Sequence, residues 1–172
     1  RTGSSGNKFG DVVLVQLLLN NHIGFDSRLS GKVSPLVPDG KVDGTSIGVT
    51  GFCWGGRIAL MYAAHNPELD AAVAWYGPTA RSYFPGDRTP LDVAAQTKVP
   101  VLGLYGGADG IPNESVEKYF AALKTAGNAR SAFVIYPETP HAFHADYRPT
   151  YRKDKAEDGW KRAVEWFKQH LA

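Results

Sequence analysis

The feature that most constrains this chain is a glycine-framed turn joining a strand to a helix. Thr45 to Thr50 is short and β-branched and reads as a strand. Gly51-Phe52-Cys53-Trp54-Gly55-Gly56 follows, and then an alanine-rich helical stretch, Arg57 to His65, that Asn66-Pro67 ends. Strand, Gly-x-Cys-x-Gly-Gly, helix is the cysteine form of a nucleophile elbow. A strand that reverses so sharply into a helix puts its middle residue in a strained backbone conformation above the sheet edge. Gly51 and Gly55 are expected to remove side chains that would clash at such a turn. The new helix aims its amides and its positive dipole end at the thiol, which favours thiolate. The same geometry turns the Trp54 amide toward an oxyanion on an acyl carbon bound to Cys53. The plainer alternative is a buried free thiol beside an ordinary tight turn.

Beyond the turn, apolar runs and helical stretches alternate. Ala71 to Tyr76, Val99 to Tyr105 and Ser131 to Tyr136 read as buried strands. Gly77 to Lys98, which holds Pro78, Pro85, Gly86 and Pro90, reads as a long connection. Asn113 is the expected cap of a helix with Glu114 and Glu117 in its first turn and Gly127 at its end. The last helix, about Lys155 to Leu171, carries Trp160, Ala163, Val164, Phe167 and Leu171 at helical spacing. Four strand–helix alternations predict an α/β fold, a mostly parallel sheet with helices on both faces.

Nucleophilic catalysis needs a base and a group that orients it. Asp109 follows the Val99–Tyr105 strand through Gly106-Gly107-Ala108, and His141 follows the Ser131–Tyr136 strand through Pro137-Glu138-Thr139-Pro140. Cys53, Asp109 and His141 therefore all fall just beyond strand C-termini, in nucleophile–acid–base order. His144 is the rival base, and His141 is preferred because it lies nearer the strand end. Asp87, Asp92 and Asp146 have no comparable placement. Taken singly, an aspartate near a helix start is usually a cap and a loop histidine a solvated group, so the coincidence of three carries the reading.

These residues also carry a resemblance. Gly51-Phe52-Cys53-Trp54-Gly55-Gly56-Arg57, Tyr62 to Pro67 with Ala71 to Gly77, Pro100 to Gly106, and His141-Ala142-Phe143 with Asp146-Tyr147-Arg148 resemble the dienelactone hydrolase (carboxymethylenebutenolidase) family from about Gly44 to the C-terminus. The resemblance implies an α/β-hydrolase-type fold with reduced N-terminal strands. It also implies a Cys53–Asp109–His141 triad that opens lactones or cleaves small activated esters, without cofactor or metal. Val12 to Gln16 is similar to the family's earlier strand, which supplies the second oxyanion amide, here Leu18. Leu17 stands where the family has a glutamate that meets the nucleophile, and Ala145 where the best-known members have an arginine.

A thiol suits such chemistry. Cysteine attacks readily but leaves readily too, so a thioester forms forward only when the departing group is good, as an enolate is. Trp75, Tyr76, Tyr83, Phe84 and Phe143 are candidates to line an apolar pocket, each with ordinary core packing as the plainer alternative. Arg81, Arg88 and Arg148 are candidates to hold a substrate carboxylate.

The remaining composition narrows the alternatives. Among 172 residues, one cysteine excludes an intramolecular disulfide and any cysteine-rich zinc site, and a formal charge of +2 is too mild to imply nucleic acid. No apolar run reaches the roughly 18 residues of a membrane helix, and no secretory signal is visible, so a cytoplasmic protein without membrane association is expected. Residues 1–44 form an atypical, partly irregular segment, and 45–172 the expected catalytic domain. Four clear strands leave an uncovered sheet edge, from which self-association into a homo-oligomer is expected. The rival from another class is a catalytically silent hydrolase scaffold acting as a binding or assembly module.

Overall fold

A computed structural model of the chain describes residues 46–171. The expected boundary at residues 44–45, the strand Val12–Gln16, and Leu17 and Leu18 lie outside the described residues. Within them, four strands, β1 (Gly48–Phe52), β2 (Ala71–Trp75), β3 (Val101–Gly106) and β4 (Ala132–Tyr136), form one sheet in the order β1-β2-β3-β4. Every neighbouring pair is parallel, with Gly48 opposite Ala71, Ala72 opposite Val101, and Leu102 opposite Ala132. The α/β parallel arrangement read from the alternation is therefore the architecture observed.

Each crossover carries helix: α1 (Trp54–His65) after β1, the short α2 (Pro90–Val93) after β2, and α3 (Asn113–Thr125) after β3. Right-handed crossovers that step in one direction along the sheet all land on one face. On that face Leu60 and Ala63 of α1 and Val116, Tyr119 and Leu123 of α3 pack against Ala72, Ala74, Val101 and Tyr105. α4 (Lys153–His170) follows β4 and covers the other face, with Ala163 and Phe167 against Val73, Trp75, Leu102 and Leu104. The side chains of β2 thus alternate between the two layers, as a strand covered on both faces requires.

Several expectations change. β1 begins later than Thr45 and runs into the turn, because its pairing with β2 extends to Phe52 opposite Trp75. α1 begins at Trp54, immediately after the cysteine. Pro112, not Asn113, is the N-cap of α3, and the Asn113 side chain instead donates to the Gly107 carbonyl at 3.4 Å. Gly127, at φ 87°, ends that helix region as expected. The connection 77–98 holds α2, which opens with a reciprocal cap: the Asp92 N–H donates to Thr89 Oγ1, and Asp92 Oδ2 accepts from the Thr89 N–H. Trp160 does not join the buried stripe of α4. It is half exposed, and the stripe runs instead through Ala156, Gly159, Ala163 and Phe167. A Cβ at Gly159 would come within 2.7 Å of the Trp75 ring, so the helix approaches the sheet over small residues.

Candidate active site

The residue between β1 and α1 stands in a conformation that ordinary side chains avoid. Cys53 has φ 57° and ψ −117°, and its thiol-bearing side chain is exposed. Backbone in this region costs about 1–3 kcal/mol for a non-glycine residue and persists only where the surroundings fix it. Here they do. The Cys53 N–H donates to the Trp75 carbonyl at 2.9 Å, and the Cys53 carbonyl accepts from the Arg57 N–H at 3.1 Å. A Cβ on Gly51 would lie 2.1 Å from the Gly55 carbonyl oxygen, so Gly51 is required as expected. At Gly55 the described residues make no such demand: none of their atoms lies within 4 Å of a Cβ there. The second position that must be glycine is Gly56, whose Cβ would fall 2.6 Å from the Trp75 carbonyl oxygen and 3.0 Å from Gly77 Cα. The constraint is the packing of α1 on the end of β2, not clearance for the turn itself.

The acid and the base come from β3 and β4. The Gly107 N–H donates to the Tyr136 carbonyl at 2.7 Å and the Ala108 N–H to the Thr139 carbonyl at 3.0 Å, which ties the two loops together. Gly106 lets them approach: a Cβ there would lie 2.3 Å from the Thr139 carbonyl oxygen. The buried Asp109 carboxylate accepts from the Ile111 N–H through Oδ1 at 3.2 Å and faces His141 Nδ1 through Oδ2 at 2.7 Å.

The hydrogen bond to Asp109 is the largest cause that pushes the His141 imidazole up to about 9, with the hydrogen bond to Cys53 adding to it and burial opposing. On the other side, the hydrogen bond to His141 is the largest cause that holds the Cys53 thiol below its ordinary value of 9.0. Burial works against it, and the Trp54 backbone amide helps. Thiolate and imidazolium thus stabilise each other, and Asp109 fixes the ring between them. Cys53, Asp109 and His141 are brought together; His144 is not part of the group. It lies against the rings of Trp75, Phe52 and Trp160, with centroids 4.6, 5.1 and 5.9 Å away, and burial lowers its pKa.

Matching against known families places this geometry. The model of the dienelactone hydrolase family matches residues 14–171. The chain belongs to the dienelactone hydrolase family. The match starts upstream of Gly44, where the resemblance of the motifs begins. A protein of Methylorubrum extorquens named "Putative carboxymethylenebutenolidase" is 54% identical over 148 residues, 84% of this chain and 50% of the relative. A protein of the same name from Escherichia coli K12 is 55% identical over 71% of this chain and 45% of its own length. The chain spans about half the length of these curated relatives. The crystal structure of a "Putative Dienelactone Hydrolase" from Klebsiella pneumoniae, 49% identical, superposes with a TM-score of 0.70 over 74% of this chain and 54% of that one. A Pyrococcus horikoshii acylaminoacyl peptidase, at 18% identity and a TM-score of 0.62, covers 76% of this chain and 25% of that one and shares the fold alone. The sheet with helices on both faces is thus the α/β-hydrolase fold of this family.

The other residues singled out from the sequence separate into two groups. Trp75 and Phe143 are fully buried in the α4 layer, Trp75 stacked on Phe52 at 5.2 Å and tilted against Phe143 at 6.1 Å, so they are core and not pocket walls. Tyr76 is buried but sits at the site, its ring 4.9 Å from the His141 ring and its φ, at 39°, also positive. Phe84 is 64% exposed at the tip of the connection after β2. Arg81 and Arg148 are exposed and lie over the rings of Tyr83 and Tyr147, at 4.9 and 5.6 Å. Arg148 also lies near enough to the Tyr76 phenol to act on it electrostatically, which places it on the His141 side. Arg88 is spent on the Asp92 carbonyl, at 3.4 Å. Trp54 opens α1 half exposed, edge-on to Tyr83 at 4.7 Å.

The residue that sequence reasoning passed over is Arg57. It is only 3% exposed, and its Nη2 donates to Asp87 Oδ2 at 2.6 Å. The signal for it was a lone cation in an otherwise apolar and alanine-rich helix, since a buried charge needs a partner. Among the described residues, no group of three or more His, Cys, Asp or Glu side chains could hold a metal ion, and no helix is long and apolar enough to cross a membrane.

Proposed function

We propose that this chain carries the hydrolytic centre of a lactone or small-ester hydrolase that works through Cys53 and a thioester acyl-enzyme. The observation that carries the reading is the exposed Cys53 at a positive φ, its thiol held below its ordinary value by a His141 whose Nδ1 lies 2.7 Å from the buried Asp109 carboxylate. His141 is the base, Asp109 orients it, and the Trp54 amide is one donor to the oxyanion. The thiolate attacks the ester or lactone carbonyl, forming a C–S bond and an oxyanion. When the oxyanion collapses, the C–O bond breaks and the leaving oxygen takes the proton of the imidazolium. Water then gives a proton to His141 as it attacks the thioester, and the thiolate departs with the carboxylic acid as product. Leu18 is the position proposed for the second oxyanion amide, by resemblance.

Thiolate as leaving group sets the substrate range. An alkoxide or amide competes poorly with it, whereas an enolate or an aryloxide leaves readily, so activated lactones and esters are the expected class. Turnover of 4-nitrophenyl acetate by the chain, lost in Cys53→Ala, is the test. Complete inactivity of the unaltered chain, with Cys53 free and the fold intact, would overturn the reading in favour of a silent scaffold used for binding.

A further inference from the structure

Arg57 is the described cation whose placement the chemistry at Cys53 leaves unexplained. It lies one helical turn beyond the nucleophile, and its guanidinium reaches out of α1 to the connection after β2. Nη2 donates to Asp87 Oδ2 at 2.6 Å and to the Arg88 carbonyl at 2.8 Å. Asp87 Oδ2 also accepts from the Tyr83 N–H at 3.2 Å. The guanidinium carbon lies 5.5 Å from the Trp54 ring centre and 5.6 Å from that of Tyr83, and these two rings meet edge to face at 4.7 Å. Residues 80–86 are exposed and belong to no helix or strand. Their other hydrogen bonds, from the Asp87 N–H and the Ser82 hydroxyl to the Phe84 carbonyl, are internal to the loop. Arg57 is thus what joins this loop to the helix that begins at the nucleophile.

Removing an arginine from water costs several kcal/mol, which only good pairing offsets. The pairing here is incomplete: Nη1 is buried with no hydrogen-bond partner among the described residues. Arginine–carboxylate pairs are frequently bidentate, with two parallel N–H donors on one carboxylate. This one uses a single nitrogen and lays the rest of its plane against two aromatic rings. The outcome is the position of the Tyr83 ring against that of Trp54, the residue that follows Cys53.

We propose that Arg57 is a specificity-determining positioning residue: by clamping the 80–88 loop through Asp87, it holds Tyr83 against Trp54 as the wall of the site that large planar acyl groups contact. This rests on the reading of Cys53 as nucleophile, and deepens it by naming what sets acyl-group preference.

The test compares 4-nitrophenyl acetate with 4-nitrophenyl benzoate in Arg57→Lys, which keeps a cation for Asp87 but loses the flat face, and in Tyr83→Ala, an exposed loop change that leaves the core intact. In both, KM for the benzoate is expected to rise about tenfold with kcat within about threefold, so that the benzoate-to-acetate ratio of kcat/KM falls about tenfold. The double variant should be no worse than either single one, because both remove the same wall. Trypsin should cleave after Arg81 faster in Arg57→Lys than in the unaltered chain. Equal losses on both esters, additive losses in the double variant, or unchanged cleavage after Arg81 would each overturn the clamp. An unaltered chain that turns over neither ester overturns the hydrolase reading and the acyl preference with it. The cleavage pattern still reads the clamp in that case, so the two failures are told apart.

Discussion

Two histidines three positions apart on one loop, His141 and His144, sit in regions that treat a proton in opposite ways. Around His141 a buried carboxylate and a thiol stabilise the cation, and the imidazole is pushed up to about 9. Around His144 the neighbours are Phe52, Trp75 and Trp160, and burial pulls the imidazole below its ordinary 6.5. The loop turns between them at Ala142, whose φ of 59° sends the two side chains to different surroundings. What separates a base from a packing residue here is the set of groups it meets, and distance along the chain says little about that.

The largest effect that would sharpen this contrast is at His141. His141→Ala is expected to lower turnover of 4-nitrophenyl acetate by about 10³-fold or more, since thiolate formation and proton delivery fail together. His144→Phe should stay within about threefold, because it replaces one ring among rings. If the two variants exchange these outcomes, the assignment of the base is wrong.

A smaller loss is expected at Asp109. Asp109→Asn keeps the shape but removes the charge that holds the imidazolium, and a drop of about 10²–10³ in turnover should accompany it. Alkylation of Cys53 by iodoacetamide near neutral pH should slow as well, because the thiol moves back toward its ordinary value. Cys53 is the single cysteine, so intact mass reads the labelling directly. An unchanged labelling profile would show that the elbow alone sets the thiol.

The weakest expected effect concerns stability, and here the signs differ. His141 has a folded pKa of about 9 above an unfolded 6.5, so its stabilisation is fully present below 6.5 and is lost as pH rises through 9. His144 has its folded pKa lowered, so its contribution is present above 6.5 and is lost as pH falls through the lowered value. His144→Phe should therefore narrow the fall in thermal midpoint between pH 8 and pH 5, while His141→Gln should steepen it, because the stabilisation from His141 grows as pH drops from 8 to below 6.5. Melting curves of both variants at the two pH values decide it. A His144→Phe curve that falls as steeply as the unaltered chain would remove the contrast.

Much of this contrast was legible in the sequence, and the reasons for the rest are physical. Strand existence and order followed from apolar runs such as Val99 to Tyr105, and the parallel arrangement from the helices between them. The sequence points to Cys53, Asp109 and His141 because such an architecture puts chemistry at strand C-termini, a local property of the chain. Thr89-Pro90-Leu91-Asp92 reads as loop from its place in a proline-rich connection, yet it carries a capping signature with proline at the first helical position, which is the local signal for α2. The Arg57–Asp87 contact was a different case, because it spans thirty residues and depends on how a loop folds back over a helix. Trp75 and Phe143 illustrate the remaining difficulty. Aromatic residues at strand ends fit a pocket wall and a core equally well until the layer they face is known. Trp160 was placed on the buried face because its spacing fits, but Gly159 brings α4 too near Trp75 for a large side chain in the interface.

The left-handed backbone at Cys53 bears on what such a site costs the fold that holds it. Glycine adopts φ 57° freely, so Cys53→Gly should raise the urea midpoint above that of Cys53→Ala, a gain of about 1 kcal/mol. The fold would be sturdier without the thiol proposed as its nucleophile. If the proposed chemistry holds, the side chain that reacts occupies a place the backbone would rather give to glycine, and the fold carries that cost in stability.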